Sequence, residues 1–372
     1  MTDYRSRFHV PGPGPYALTH SAGCLPRSAA AALHTHYLEP WQQRGGDAWG
    51  TWLGAVDEFR GALAAMFGGA ASQWCPQVNL SSGLAKLLGA LPAPDSARAV
   101  WLLHEDSFPS MGFVLQQAQR QGHQLHILPR TQDPGLPATW EQALTPDVSG
   151  VLLSHVHSNT GRVAPVEWVA QQCRERGVLC VVDVAQSAGI LPWNVETLGA
   201  DAVLGSCIKW LCGGPGAGFL WLRPELCAQL QPVDVGWFSH ADPFEFDIHH
   251  FEPAADARRF WGGTPDIAPF VIAAQSLREL QGIGVHAILA HNRDLISIFR
   301  AALPARWQAS VRTDGHGGTL CMAAGGDADL IAPRLAADSV RFDRRGDTLR
   351  LSFHLCNDAA DAARLAHAFQ PD

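Results

Sequence analysis

Six short apolar runs between residues 99 and 222 constrain the fold of this 372-residue chain more than any other feature. The runs are continuous rather than alternating, which is typical of strands buried on both faces of a parallel sheet. Stretches with apolar residues at helical spacing separate them. This rhythm predicts a doubly wound α/β domain with a mostly parallel central sheet. The predicted strands are residues 99–103, 123–128, 150–156, 178–184, 202–205 and 218–222.

Proline and glycine positions mark where the intervening helices begin and end. Pro165 opens a predicted helix, and Gly177 would close it in the C′ position. A second helix is predicted to end at Gly122, and a third to follow Ser81-Ser82-Gly83. The alternation of strands and helices therefore extends over roughly residues 75–225.

After about residue 236 the pattern changes to an aromatic and histidine-rich passage and then to mixed elements. We predict a smaller α+β domain there. Its predicted helices are residues 267–282, 285–303 and 358–369, and its predicted strands are 319–323, 339–342 and 349–353. The predicted organisation is an N-terminal segment (1–50) that packs on the small domain, a large α/β domain (51–235) and the small domain (236–372).

Charge and composition exclude several classes of protein. There are 27 Lys+Arg against 35 Asp+Glu, and no basic cluster, so a nucleic-acid partner is not expected. No apolar run approaches the ~20 residues that span a bilayer. Residues 1–16 contain no apolar h-region, so we do not expect secretion by a signal peptide. The nine cysteines show no CxxC pair, and no histidine pair has a third metal ligand at recognised spacing. We therefore expect a cytoplasmic protein without a metal site.

Two residues stand where chemistry is expected. Asp183 ends the most apolar strand, and a buried carboxylate is costly unless a cation pairs with it. Lys209 lies between a short strand and a glycine-rich turn, without charged neighbours. Each also has an ordinary interpretation, a turn-capping aspartate and a solvent-reaching lysine. Together with Ser81-Ser82-Gly83 they match the needs of pyridoxal phosphate, namely an amine, a partner for the pyridine nitrogen and donors for the phosphate.

Five segments carry a resemblance to a known family. They are SNTG (158–161), DVAQSAG (183–189), KWLCGGPGAGFLWL (209–222), RFWGGTP (259–265) and LRLSFHLCN (349–357). The chain resembles the class V aminotransferase family of fold-type I pyridoxal-phosphate enzymes, from about residue 16 to its C-terminus. The resemblance implies the fold-type I architecture, pyridoxal phosphate as the cofactor, an amino acid as the substrate and a homodimer with shared active sites.

The resemblance also implies a role for individual residues. Lys209 would form the Schiff base with the cofactor, and Asp183 would pair with the pyridine nitrogen. Asn159 and Arg350 would hold the substrate carboxylate, for which the guanidinium fork is well suited. The other cofactor-binding residues that it implies are Gln186 at the 3′-oxygen, Phe108 on the ring, Ser81, Ser82 and Ser206 at the phosphate, and Thr264 and Trp237 from the partner subunit.

Among family members the chain looks most like the kynureninases, which hydrolyse a Cβ–Cγ bond, through GWFSH (236–240), RFWGGTP and DRRGDTLR (343–350). It departs from them at Ile208, where they carry a proton-transferring tyrosine, at Gln186, where they carry histidine, and at Met111, where they carry aspartate. A histidine or a water molecule would then transfer the proton, or the substrate differs.

Other reactions stay open at this point. A class V aminotransferase, or a lyase or epimerase acting on another amino acid, is the first alternative. A catalytically inactive relative with a binding or regulatory role is the second. Desulfurase chemistry is disfavoured, because residues 342–348 contain no cysteine and Cys321 falls in a predicted strand.

Overall fold

A computed structural model of the protein describes residues 3–312 and 314–370. The strands are β1 Phe8–His9, β2 Leu25–Pro26, β3 Trp74–Gln77, β4 Val100–His104, β5 Gln124–Leu128, β6 Val148–Ser154, β7 Leu179–Asp183, β8 Ala202–Ser206, β9 Gly218–Leu222, β10 Thr319–Ala323, β11 Asp343–Arg345 and β12 Thr348–Ser352. The helices are α1 Arg27–Leu33, α2 Glu39–Arg44, α3 Trp49–Phe67, α4 Leu80–Ala90, α5 Pro109–Ala118, α6 Pro137–Ala143, α7 Val166–Arg176, α8 Val195–Leu198, α9 Pro224–Gln229, α10 Ala268–Ile283, α11 Val285–Ala302, α12 Ala305–Gln308, α13 Ala328–Ala337 and α14 Ala359–His367.

The central sheet has seven strands in the order β3-β9-β8-β7-β6-β4-β5. The five strands from β8 to β5 are parallel, whereas β9 and β3 run antiparallel to their neighbours. This confirms the predicted mostly parallel sheet, and β4–β9 correspond to the six apolar runs. The sequence did not predict β3, a four-residue edge strand whose Pro76 is tolerated only at an edge.

Local signals located the helices well. Helix α7 ends where Gly177 adopts a φ of +62°, as its C′ position requires. Helix α4 begins one residue before Ser81, because the Asn79 side chain caps it by accepting the Ser82 N–H at 2.8 Å. Gly122, with a φ of +91°, ends the turn after α5.

Helices cover both faces of the central sheet. Val181 and Val182, adjacent in β7, are fully buried in different core clusters, one on each face. On one face α3 packs against α10, with the rings of Phe59 and Phe270 5.0 Å apart. On the other face α4 and α5 pack together. Burial of both strand faces is the physical reason for the continuous apolar runs.

A second core surrounds the three-stranded antiparallel sheet β10-β12-β11 and contains residues of α11, α13 and α14. Helix α11 joins the two cores, because Ile288 is buried in the first and Leu295 in the second. Helix α10 packs on α3 of the large region. The predicted limits of the three segments stay a prediction.

The prediction of a strand at residues 339–342 was wrong, because the third strand of the small sheet is Asp343–Arg345. Ser339 has a left-handed φ of +59°, and the Val340 N–H donates to the Leu335 carbonyl, so this segment forms the exit from α13. Arg341 then pairs with Tyr16 of the N-terminal segment. Of the apolar residues in this segment, Val340 is buried in the second core and Phe342 packs against that core.

Within the described residues, no helix is long and apolar enough to cross a bilayer. The same part of the chain contains no group of three or more histidine, cysteine or acidic side chains arranged to hold a metal ion.

Candidate active site

A cavity of about 380 Å³ opens at the carboxyl ends of β7 and β8, where ligands bind in open α/β sheets. Asp183 is the last residue of β7, Ser206 is the last residue of β8, and Lys209 follows three residues later. The predicted site residues that line the cavity are Ser81, Phe108, Asp183, Gln186, Ser206, Lys209 and Arg350.

Lys209 and Asp183 form the charged centre of the cavity. Burial lowers the pKa of Lys209 to about 8, although the Asp183 carboxylate opposes this shift. Burial raises the pKa of Asp183, while Lys209 and the Ala185 N–H, which donates to Oδ1 at 2.8 Å, work against the rise. The Lys209 Nζ lies 5.6 Å from the centre of the Phe108 ring. The lowered pKa makes the neutral, nucleophilic amine of Lys209 easier to reach than that of an ordinary lysine.

The amino end of α4 lies at one side of the cavity. Asn79 and Ser81 line it, and the Ser81 hydroxyl donates to the Asn79 Oδ1 at 2.8 Å. Ser206 lines the cavity beside them and accepts the Ile208 N–H at 3.4 Å. Helix α4 has eleven residues, so its N-terminus and these hydroxyls suit a phosphate group. Ser82 does not line the cavity, and its backbone N–H is used by the Asn79 cap.

Arg350 lies at the other side and is 1% exposed. Its Nη1 donates to the Asp343 carboxylate across the β11–β12 hairpin, whereas its Nε has no partner among the described residues. Cys321 is its cross-strand neighbour on β10. Burial lowers the pKa of Arg350, and a buried guanidinium with an unused donor is suited to bind a carboxylate.

Gln186 is already engaged by protein groups. Its Nε2 donates to the His20 carbonyl at 3.0 Å, and its Oε1 accepts the Trp210 indole N–H at 3.3 Å. A side-chain amide carries two N–H groups, so one remains for a ligand. The predicted contact of Gln186 with the cofactor 3′-oxygen stays a prediction.

Besides Ser82, three predicted residues do not line this cavity. Asn159 lies in the adjoining cleft and accepts a hydrogen bond from Arg345, which lines both spaces. Trp237 and Thr264 lie together elsewhere, with the indole N–H 3.3 Å from the threonine hydroxyl. Their predicted contact with the phosphate in a partner's site stays a prediction.

Sequence reasoning missed several lining residues, of which His20, Asn79 and Arg345 matter most. Asn79 had a usable signal, because an asparagine before a helical pattern is a strong N-cap. Arg345 lay inside the DRRGDTLR segment that carried the resemblance. His20 had no local signal, since it reaches the cavity through contacts with residues far along the chain.

The N-terminal segment is fixed directly against the lysine-bearing loop. The Gly23 N–H donates to the Ile208 carbonyl at 2.7 Å. A Cβ at Gly23 would collide with the Lys209 carbonyl oxygen and with Cys212. Only glycine allows this approach, which carries His20 and Ser21 to the cavity wall.

The cavity residues fit pyridoxal phosphate. The buried Asp183 carboxylate receives one hydrogen bond among the described residues, so it retains acceptor capacity for a protonated ring nitrogen. The amine, the aromatic ring and the helix N-terminus surround the same space. A cavity of this size also leaves room for a small substrate beside the cofactor.

Comparisons with known proteins agree with this arrangement. The aminotransferase class-V family model matches residues 104–365. The kynureninase of Deinococcus radiodurans is 34% identical over 271 residues, which are 71% of this chain and 64% of that protein. The kynureninase of Pseudomonas fluorescens is 28% identical, over 72% of this chain and 65% of that protein. The matches thus span just under two thirds of the length of these relatives.

Solved structures show the same fold at lower sequence identity. A cysteine desulfurase from Thermococcus onnurineus superposes with a TM-score of 0.85, is 20% identical and covers 98% of this chain and 96% of its own. A cystine C–S lyase in complex with cysteine persulfide superposes with a TM-score of 0.83, is 23% identical and covers 96% of this chain and 98% of its own. The fold-type I architecture expected from the sequence is confirmed.

Proposed function

The chain belongs to the class V aminotransferase family and is a pyridoxal-phosphate-dependent enzyme, and from this premise we propose that it hydrolyses the Cβ–Cγ bond of an amino acid of the kynurenine type. Water would add across the broken bond, giving a carboxylate at Cγ and a hydrogen at Cβ. From L-kynurenine the products would be anthranilate and L-alanine.

One observation carries the proposal. A single cavity combines an amine whose pKa is lowered to about 8, a buried carboxylate and a buried arginine with an unused donor. These are the groups needed to bind pyridoxal phosphate and the carboxylate of an amino acid. The likeness to two kynureninases favours this reaction among those that the cofactor supports.

When bound, the cofactor supplies an electron sink that stabilises negative charge at the substrate Cα. Asp183 would keep a proton on the pyridine nitrogen, which makes the ring a better sink. Lys209 would bind the cofactor through its neutral amine and then carry protons at Nζ. The amino end of α4, with Ser81 and Ser206, would hold the phosphate, and Phe108 would cover the ring.

Substrate binding would rest on the arginines of the β11–β12 hairpin. Arg350 would pair with the α-carboxylate. Asn159 bonds to Arg345, so we assign it an indirect role in holding Arg345 at the boundary of the two clefts. Ile208 lines the cavity and cannot transfer a proton, so Lys209 or water would serve there.

The cysteines do not favour desulfurase chemistry for this chain. Eight of the nine are buried, and Cys321 is partly exposed. Burial raises the pKa of Cys321 to about 11, which opposes the thiolate that a desulfurase needs. Cys321 also lies in the regular strand β10 rather than on a loop.

We further propose that the enzyme acts in the cytoplasm as a homodimer in which Trp237 and Thr264 reach the partner's phosphate site. Exposed apolar side chains close to Trp237 support an interface, since Phe246 is 73% exposed and Ile248 is 92% exposed. Analytical ultracentrifugation of the purified protein would test this, and a monomer at micromolar concentration would contradict it.

The test of the reaction is the visible spectrum of the purified protein supplied with pyridoxal phosphate, recorded before and after addition of L-kynurenine, with anthranilate fluorescence followed in parallel. We expect a visible cofactor band and release of anthranilate. A band that shifts without anthranilate would reject the kynurenine-type reaction and keep another amino acid as the substrate. The absence of a band would reject the functional assignment altogether.

A further inference from the structure

His20 is a completely buried histidine on the cavity wall, and none of the roles proposed above involves it. Its backbone is fixed on both sides. The His20 N–H donates to the Ser352 hydroxyl at 3.1 Å, and its carbonyl accepts the Gln186 amide at 3.0 Å. The ring is therefore held in one position by β12 and by the loop after β7.

The contacts of Ser352 allow the ring hydrogen of His20 to lie on Nε2. The Ser352 Oγ lies 2.8 Å from the His20 Nδ1 and already accepts the His20 backbone N–H. Its own hydrogen is thus available for Nδ1, which then accepts. In that arrangement the hydrogen of the neutral ring lies on Nε2. Nε2 is buried and has no hydrogen-bond partner among the described residues.

Three donor groups surround one carboxylate oxygen beside the cavity. Arg350 donates to the Asp343 Oδ2, and the His20 Nε2 and the Arg345 Nε each lie 3.8 Å from the same oxygen. His20, and after it Arg350, lowers the pKa of Asp343 to about 2. This corner of the cavity thus already stabilises one carboxylate. At 3.8 Å the His20 Nε2 is too far from Asp343 for a hydrogen bond, so it and the Arg350 Nε have no hydrogen-bond partner among the described residues.

We propose that His20 is a substrate-binding residue whose Nε2–H, together with the Arg350 Nε, binds the carboxylate of the amino-acid substrate. The inference rests on the proposed function, because it assigns a residue to the substrate end of that site. Asp343 then has a supporting role: it holds Arg350 in place and balances its charge while the two unused donors bind the ligand.

The charge state of His20 agrees with a neutral donor. The pKa of His20 is lowered to about 4, mainly by burial; Asp343 opposes this shift, and the charges of Arg350 and Lys209 add to it. His20 therefore adds a hydrogen bond without adding a third full positive charge beside Lys209 and Arg350. A buried N–H without a partner is costly, and a ligand carboxylate removes that cost.

The test compares two ligands that differ only at the carboxylate, L-alanine and L-alaninamide, titrated into the holoenzyme while the visible cofactor band is followed. His20→Asn retains an amide near the Nδ1 position and lacks any group at Nε2. We expect about a 10- to 100-fold loss of affinity for L-alanine and less than about a twofold change for L-alaninamide. His20→Gln places an N–H near the Nε2 position, and it should restore at least part of the affinity for L-alanine.

His123→Asn is the matched control, because His123 is also buried with an unpartnered ring nitrogen but does not line the cavity. It should change neither affinity. An equal loss for both ligands in His20→Asn would overturn the inference, since His20 would then only shape the cavity. No loss for either ligand would also overturn it. The wild-type cofactor band separates the two failures. Without that band the proposed function fails. With the band present, an unexpected affinity in His20→Asn overturns only the inference about His20.

Discussion

The only two lysines of this chain lie in regions that stabilise an ammonium group very differently. Lys86, on α4, donates to the carbonyls of Phe260 and Trp261 at 3.2 and 2.7 Å and lies 3.9 Å from Asp234. The pKa of Lys209 is lowered mainly by burial, and it is also changed by Asp183 and by two nearby arginines. The Lys209 Nζ lies 5.6 Å from the centre of the Phe108 ring. The two sites differ in the contacts that they offer an ammonium group. Lys86 has two carbonyl acceptors and a nearby carboxylate, whereas at Lys209 burial is the main effect and lowers the pKa.

The largest expected effect is that the visible cofactor band requires Lys209 and does not require Lys86. Lys209→Ala should abolish the visible cofactor band and reduce turnover by about 10³-fold or more, because the amine that binds the cofactor is lost. Lys86→Ala should retain the band. Absorption spectra of both purified variants, each supplied with pyridoxal phosphate, make the comparison. A full cofactor band in Lys209→Ala would show that another residue binds the cofactor.

Asp183→Asn tests the carboxylate that distinguishes the Lys209 region. We expect kcat to fall by about 10²–10⁴-fold, because the protonated ring nitrogen loses its partner. The pKa of Lys209 should fall further, since Asp183 is the group that raises it. Steady-state kinetics would measure the first effect. Asp201→Asn is the control, because Asp201 accepts the Cys180 N–H outside the cavity, and wild-type kinetics are expected there.

The pH dependence of amine modification would sharpen the contrast. In cofactor-free protein, acetylation of Lys209 should rise about tenfold per pH unit below about pH 8 and level off above it. Lys86 should react more slowly, because its amine must first leave two carbonyls. Peptide mass spectrometry quantifies both lysines in one sample. A Lys209 rate that still rises tenfold per unit near pH 10 would contradict the lowered pKa.

Because the pKa of Lys209 is lowered in the folded protein, Lys209 makes the free energy of unfolding depend on pH. Native Lys209 releases its proton at about pH 8, whereas the unfolded chain keeps it up to the ordinary lysine pKa of 10.5. The unfolded state therefore binds more protons between these values, and the contribution of Lys209 to the free energy of unfolding rises with pH across that window.

The smallest expected effect concerns stability alone. Lys86→Met should lower the free energy of unfolding by about 1–3 kcal/mol, because two carbonyls lose their donor. Lys209→Met should be neutral or stabilising in the cofactor-free protein, because it removes an ammonium that lacks hydrogen bonds. Urea unfolding of both variants measures the difference. Equal losses would show that the two regions stabilise the charge alike.

The fold was largely predictable because its main signals are local. The continuous apolar runs correspond to β4–β9, and the left-handed backbones at Gly177 and Gly122 mark helix ends that the sequence had indicated. The segment at 339–342 failed for an equally local reason. Its apolar residues resembled a strand, but the exit from α13 determined its path.

The candidate site was only partly predictable, because several of its contacts join distant parts of the chain. Asp183 and Lys209 could be identified at the ends of strands, where parallel sheets concentrate function. His20 could not, since its ring is positioned by Ser352 and its carbonyl by Gln186. The orientation of Asn159 likewise depends on Arg345, and no sequence pattern encodes that pairing.

The close approach of Gly23 to the lysine loop has a consequence for the order in which the site is assembled. Synthesis delivers the N-terminal segment early, yet Tyr16 pairs with Arg341 and His20 binds Ser352. Ser352 leaves the ribosome 332 residues after His20. The last strand of the large sheet ends at Leu222, so this sheet is synthesised before Ser352. The part of the cavity wall that His20 forms can therefore close only after Ser352 has been made.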